Sequence, residues 1–157
     1  MPSALRLALL ALLVAPVVAC SASPQLADEP VPPSYWGGTE PPVVCLSADV
    51  AASDFDFAAR VWAARADCDA PGAFPVGVRD MPGNTLGQAW LGESPVEVWL
   101  DPSAWDHHPD VTLAHEVGHA LGLPHTTTGG ACHLMAPFLV DACTHQDVAG
   151  RRYAVTP

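Results

Sequence analysis

The stretch that most constrains this chain is His115-Glu116-Val117-Gly118-His119-Ala120-Leu121-Gly122-Leu123-Pro124-His125. On a helix, His115 and His119 lie one turn apart and project from one face, as two nitrogen ligands of a single metal must. Glu116 follows the first of them, close enough to reach a water on that metal without being a ligand itself. Gly122 ends the helix, because glycine enters the left-handed region at no steric cost. The chain then swings back, and His125 can supply a third nitrogen. Three neutral imidazoles leave a fourth position open for water, which points to one catalytic Zn2+ rather than a structural one. The helical wheel agrees: Leu113, Val117, Ala120 and Leu121 share one side and the two histidines lie roughly opposite, so one face can pack while the other lines a cleft. Asp110 is a candidate N-cap, and its neighbours allow other starts.

Every fixed position of H-E-x-x-H-x-x-G-x-x-H is filled, and Met135 follows in His133-Leu134-Met135-Ala136-Pro137. This extended pattern resembles that of the metzincin zinc peptidases, where it precedes a methionine-containing turn. The residues around it, Thr112 to Leu123 and Leu134 to Pro137, are most similar to the matrixin branch. A bare H-E-x-x-H arises by chance in many helices; the version carrying Gly122, His125 and Met135 is far more specific. The resemblance is sharp over residues 112–137 and only topological elsewhere.

That resemblance implies an α+β zincin domain. Its parts are a small mixed twisted sheet with an antiparallel edge strand, an N-terminal helix, the metal-binding helix, the methionine turn and a C-terminal helix. It implies Zn2+ held by His115, His119 and His125, Glu116 as general base, and Met135 as an apolar floor that does not ligate. Thr85 to Trp90 is placed like the family's edge strand, whose unpaired backbone at Leu86, Gly87, Gln88 and Ala89 can hold an extended peptide by strand addition; an ordinary edge strand that binds nothing is the alternative. Residues from Ala136 to Val140, Pro137, Phe138 and Leu139 among them, would wall the pocket for the side chain after the cleaved bond. Some relatives carry a tyrosine near that position; Phe138 can neither ligate nor donate. The implied activity is zinc-dependent hydrolysis of peptide bonds in a protein or peptide substrate. Two rivals stand beside it: a catalytically silent surface binding module on the same fold, and a zinc hydrolase of a non-peptide bond. The motif defines an activated water and a base, and leaves open the bond they attack.

Before the motif, Val43 to Leu46 reads as a short buried strand. Ser53 and Asp56 have capping-box spacing and open a helix to about Ala66, with Phe55, Ala58, Ala59 and Trp62 on its apolar face. Three strand candidates follow at 75–80, 86–91 and 96–101. In the last, Val96, Val98 and Leu100 alternate with Glu97, Trp99 and Asp101, as in a half-buried strand. After the motif, Thr144 and Asp147 have capping-box spacing and open a closing helix that carries Val148 and Tyr153.

Residues 1–19 read as a signal: Arg6, then an apolar run too short to span a bilayer. Val17-Val18-Ala19-Cys20 resembles the bacterial lipobox, which implies lipidation of Cys20 and attachment to a bacterial membrane on its periplasmic or cell-surface side. Ordinary cleavage, leaving Cys20 as a spare thiol, is the alternative. Residues 20–41 are rich in proline and read as an extended tether on which Tyr35 and Trp36 could dock, followed by the folded domain at 42–157. Cys45, Cys68, Cys132 and Cys143 suit two disulfides in an exported chain, with three possible pairings. The local one, Cys45–Cys68 and Cys132–Cys143, is preferred; thiolate ligation of zinc is the rival.

The chain carries a formal net charge of −11, one unit more negative without Arg6, and contains no lysine. Such a surface repels phosphate backbones and anionic headgroups, so neither nucleic acid nor direct membrane binding is expected, and the chain should act as a monomer. His107, His108, His133 and His145 suit surface or capping roles better than a second metal site.

Overall fold

The computed structural model describes residues 30–91, 96–127 and 132–137, and the short strands 145–146 and 152–153. Its centre is a five-stranded mixed sheet under two helices. In chain order the sheet strands are β1 (Val43–Leu46), β2 (Arg65–Ala66), β3 (Phe74–Val78), β4 (Gly87–Trp90) and β5 (Glu97–Leu100). Their spatial order is β2-β1-β3-β5-β4; all neighbours are parallel except β4, which runs antiparallel to β5 at the edge. β1 has the bounds expected, and β3, β4 and β5 fall within one or two residues of theirs. The alternation read in β5 holds: Val98 and Leu100 are buried, Glu97 and Trp99 only partly so.

Helices α1 (Ala52–Trp62) and α2 (Pro109–Ala120) pack on each other, and α2 also packs on β4 and β5. Between helices and sheet lies a core containing Val44, Val76, Val98, Leu100, Phe57, Trp62, Leu113 and Met135, each at most 1% exposed. Burying such side chains contributes roughly 1.5–3 kcal/mol each. Gly118 admits this packing on α2, since a Cβ there would lie 2.5 Å from the Met135 sulfur and 3.1 Å from the Trp62 ring. The Trp62 indole N–H donates to the Ala114 carbonyl at 2.8 Å, so the largest core side chain is also satisfied.

Four expectations need correction. α1 begins after Ala51, not at Ser53; Ala51 has no side-chain acceptor, and Asp54 instead reaches back to accept its N–H at 3.3 Å. α1 also stops at Trp62 rather than Ala66. Ala63 turns left-handed (φ 53°), Ala64 is buried, and Arg65 donates its N–H to the Pro42 carbonyl at 3.1 Å. Residues 65–66 thus exchange a further helical turn for a parallel partner on β1.

Third, α2 starts at Pro109, whose missing N–H is no loss at the first helical position. Asp110 lies inside that first turn instead of capping it. Fourth, the described parts of the closing segment are strands: β6 (His145–Gln146) pairs antiparallel with β7 (Arg152–Tyr153). Capping-box spacing is a local signal, and Gly150 in the expected helix weakens it by about 1 kcal/mol.

The core also reaches into the stretch read as tether. Val31 is 1% exposed and donates its N–H to the Val61 carbonyl at 2.6 Å. A 3-10 turn, Pro33–Trp36, then sets Trp36 edge-on against Trp62, centroids 5.7 Å apart. Trp36 docks as anticipated, whereas Tyr35 stays exposed. The Cys45–Cys68 disulfide ties β1 to the turn after β2. Cys132 is disulfide-bonded as well; Cys143 and Cys20 lie outside the described residues. No helix among the described residues is long and apolar enough to cross a membrane.

Candidate metal centre

α2 delivers the first two histidines. His115 is 5% exposed and His119 half-buried. After Ala120 the chain closes with the N–H of Gly122 on the His119 carbonyl (2.8 Å) and that of Leu123 on the Gly118 carbonyl (3.0 Å). This paired closure requires a left-handed residue, and Gly122 supplies it at φ 87°. The reversed chain brings His125 back over the helix end, where it is exposed.

The three imidazoles converge. Their centroids are 4.6, 5.2 and 4.5 Å apart, and one ligand atom from each lies within 4.8 Å of the others. His115 Nε2 and His125 Nε2 are 3.2 Å apart. Two nitrogens bound tetrahedrally at zinc-like distances sit about 3.3 Å apart, so this pair already has the spacing of a ligand edge.

Two hydrogen bonds determine which nitrogens are free. His115 Nδ1 lies 2.5 Å from the Leu134 carbonyl, and His119 Nδ1 lies 2.7 Å from the Leu123 carbonyl. A carbonyl only accepts, so Nδ1 carries the proton in both rings and Nε2 keeps its lone pair for a metal. Burial pushes the His119 imidazole below its usual pKa, which favours the neutral ligand form. Among the described residues, these three form the one group of His, Cys, Asp or Glu able to hold a metal ion. The donor set fits a metal; imidazoles alone do not choose among Zn, Cu, Fe and Ni.

Met135 is fully buried against α2, and Leu134 and Ala136 beside it are nearly so. The Met135 carbonyl accepts the Thr126 N–H at 2.8 Å, joining this turn to the chain just past His125. His133 is buried too, and its Nδ1 accepts the Met135 N–H at 3.0 Å, a turn-forming role.

Glu116 is 6% exposed, and burial pushes its carboxyl up to about 7, with the Ala89 N–H opposing the shift as a donor. That bond follows from strand register. Leu86 accepts the Asp101 N–H from the β5 side, so alternation turns the backbone of Gly87 and Ala89 outward over α2. Gly87 is required for the approach: a Cβ there would meet Glu116 Cγ at 2.7 Å and Thr112 Cγ2 at 2.9 Å.

β4 and α2 thereby enclose a cleft of about 660 Å3. The expected residues Leu86, Gly87, Gln88, Ala89 and Pro137 line it together with Glu116 and the three histidines. Phe138 and Leu139 lie outside the described residues. Thr85 and Ala136, also expected, line it too, whereas sequence reasoning missed Met81, Pro82, Asn84 and Thr112. Thr112 was findable, one helical turn before Glu116 on the same face. The chain matches no protein-family model and no curated protein.

Proposed function

We propose that this protein is a zinc-dependent endopeptidase of metzincin type, most like the matrixin branch, exported and held to a bacterial membrane through a lipid on Cys20. One observation carries the activity. Two imidazoles fixed from behind, a third beside them and a carboxyl poised near neutrality all face the same cleft. The Cys45–Cys68 disulfide favours an exported chain.

Zn2+ bound by His115, His119 and His125 would supply a Lewis acid that polarises the scissile carbonyl and acidifies a water. Glu116 accepts the proton of the attacking water at its carboxylate and later passes it to the leaving amine, a task suited to a group titrating near 7. The Ala89 N–H holds that carboxylate at the cleft edge. An extended substrate adds alongside β4, using main-chain groups of Gly87 and the carbonyl of Ala89, which favours a peptide over a compact non-peptide ester. Met135 keeps the floor beneath the imidazoles dry and packed.

The test is metal content of the purified protein, and cleavage of an unstructured protein with and without chelator, against Glu116→Gln. The expected result is one Zn2+ per chain and chelator-sensitive cleavage, reduced in the variant by about a hundredfold or more while zinc stays bound. Full proteolysis by Glu116→Gln, or a protein that binds no zinc, would overturn the proposal.

A further inference from the structure

Asp101, the residue just after β5, does not line the cleft, yet two attachments of one cleft wall end on it, beyond the bond from the Arg79 N–H to the Leu100 carbonyl (2.9 Å) at its start. That wall is the connection from β3 to β4, which contributes Met81, Pro82, Asn84, Thr85 and Leu86 to the lining. At its far end the Leu86 carbonyl accepts the Asp101 backbone N–H at 2.8 Å. At its near end the Met81 N–H donates to Asp101 Oδ2 at 2.7 Å. Between the two, Gly83 turns left-handed at φ 71°. Meanwhile Asp101 Oδ1 accepts the Ser103 N–H (2.9 Å) and hydroxyl (2.5 Å), capping the 3-10 turn Pro102–Asp106 that leads into α2.

We propose that Asp101 is a positioning residue that clasps the cleft wall to the root of the metal-binding helix, and so sets how tightly the cleft grips a substrate. The Ser103 hydroxyl, the Ser103 N–H and the Met81 N–H together hold its carboxyl below the usual carboxylate range, so it is ionised at neutral pH and all three bonds are charge-assisted. The two attachments differ in kind. The backbone bond to Leu86 keeps β4 in register, and with it the Ala89 contact to Glu116, whatever side chain stands at 101. Only the Met81 end depends on the carboxylate. Losing it frees the Met81-Pro82 half of the wall and leaves the histidines, Glu116 and β4 in place. The predicted defect therefore falls on binding and spares the chemical step.

In its kinetic arm this inference rests on the peptidase reading; its exchange arm does not. Asp101→Ser keeps a short oxygen that can still cap the Ser103 N–H but cannot reach Met81, and Asp101→Ala removes both. Each is made in the full chain and compared with wild type for zinc affinity, KM and kcat on fluorescein-labelled denatured casein, and amide exchange at Met81 and Ala89. Both variants should lose about tenfold or more of the exchange protection at Met81, with Ala89 unchanged, as expected for loss of one charge-assisted bond. KM should rise about tenfold, with kcat and zinc affinity within about twofold of wild type. Unchanged Met81 protection in both variants overturns the clasp. So does a fall of kcat and zinc affinity in step with KM, which would mark a merely structural residue. Should wild type cleave nothing, the peptidase reading fails, and the clasp stands or falls on Met81 exchange alone.

Discussion

Gly118→Ala sets two effects of opposite sign against each other. Gly118 is interior to α2, where replacing glycine by alanine ordinarily stabilises a helix by about 1 kcal/mol. Here the added methyl would stand 2.5 Å from the Met135 sulfur, and 3.1 Å from both the Met135 methyl and the Trp62 ring. The first of these is about 1 Å inside ordinary contact distance. Methionine is flexible in general, but Met135 is fully buried and its backbone is held at both N–H and carbonyl; Trp62 is fully buried and hydrogen-bonded to Ala114. Neither can step aside freely, so overpacking costs toward the upper part of about 1–3 kcal/mol and outweighs the propensity gain. The net expectation is destabilisation by about 1–2 kcal/mol, a Tm lower by roughly 5–10 °C. Displacing Met135 also moves Leu134, whose carbonyl orients His115, so metal affinity should fall about tenfold. Thermal melts and competition titration with a chromophoric chelator read both quantities. Adding Met135→Ala should make the Gly118→Ala change less costly, because the overlapping atoms are gone. A raised Tm for Gly118→Ala, or unaltered metal affinity, would refute the packing argument.

Two further outcomes follow from the same geometry. Gly87→Ala drives a methyl into Glu116 and Thr112, so cleavage should fall about a hundredfold, as for a base misplaced by an ångström, while metal content stays near one per chain. Wild-type turnover in that variant would show that β4 does not press on Glu116. In the metal-free protein, burial raises the Glu116 carboxyl to about 7, so folding favours its protonated form. That contribution, about 3 kcal/mol, is fully present below the unfolded value near 4.5 and is lost as pH rises through 7. Urea unfolding of chelator-treated protein should show wild type losing this much relative to Glu116→Gln between those limits; parallel pH profiles would contradict it.

How far the sequence was legible depended on whether a feature is written as a pattern or as a meeting of distant parts. β1, the alternation in β5 and the reach of α2 were readable because period and composition act locally. The histidine triad was readable for the same reason, as spacing alone brings two ligands onto one turn and Gly122 returns the third. The end of α1 was not, because Ala63 adopts a left-handed conformation with nothing in its side chain to announce it. Nor was the start of α1, where a carboxylate three residues on stands in for the missing cap at Ala51. The segment around His145 failed in the other direction: capping-box spacing was present, and strand pairing prevailed in the described part. The wall near Met81 was invisible because it is held by Asp101, twenty residues away in sequence.

The hydrogen bonds behind the imidazoles tie the turn that carries Met135 to the histidine triad. His115 is oriented by the carbonyl of Leu134, the residue just before Met135; His119 is oriented by the carbonyl of Leu123, just past the helix end. Thr126, next to His125, donates to the carbonyl of Met135 itself. The segment returning from Gly122 and the segment carrying Met135 are therefore fastened to each other as well as to the imidazoles. Each fixes a ring that the helix alone would leave free to rotate about its side-chain bonds. Because those contacts are made by backbone groups, they depend on where the chain runs rather than on which side chains it carries. Met135 acts through its bulk: by filling the space over Gly118 it keeps Leu134 within reach of His115. The ordering cost of His115 and His119 is thus met during folding, and an incoming metal has to immobilise chiefly the exposed ring of His125.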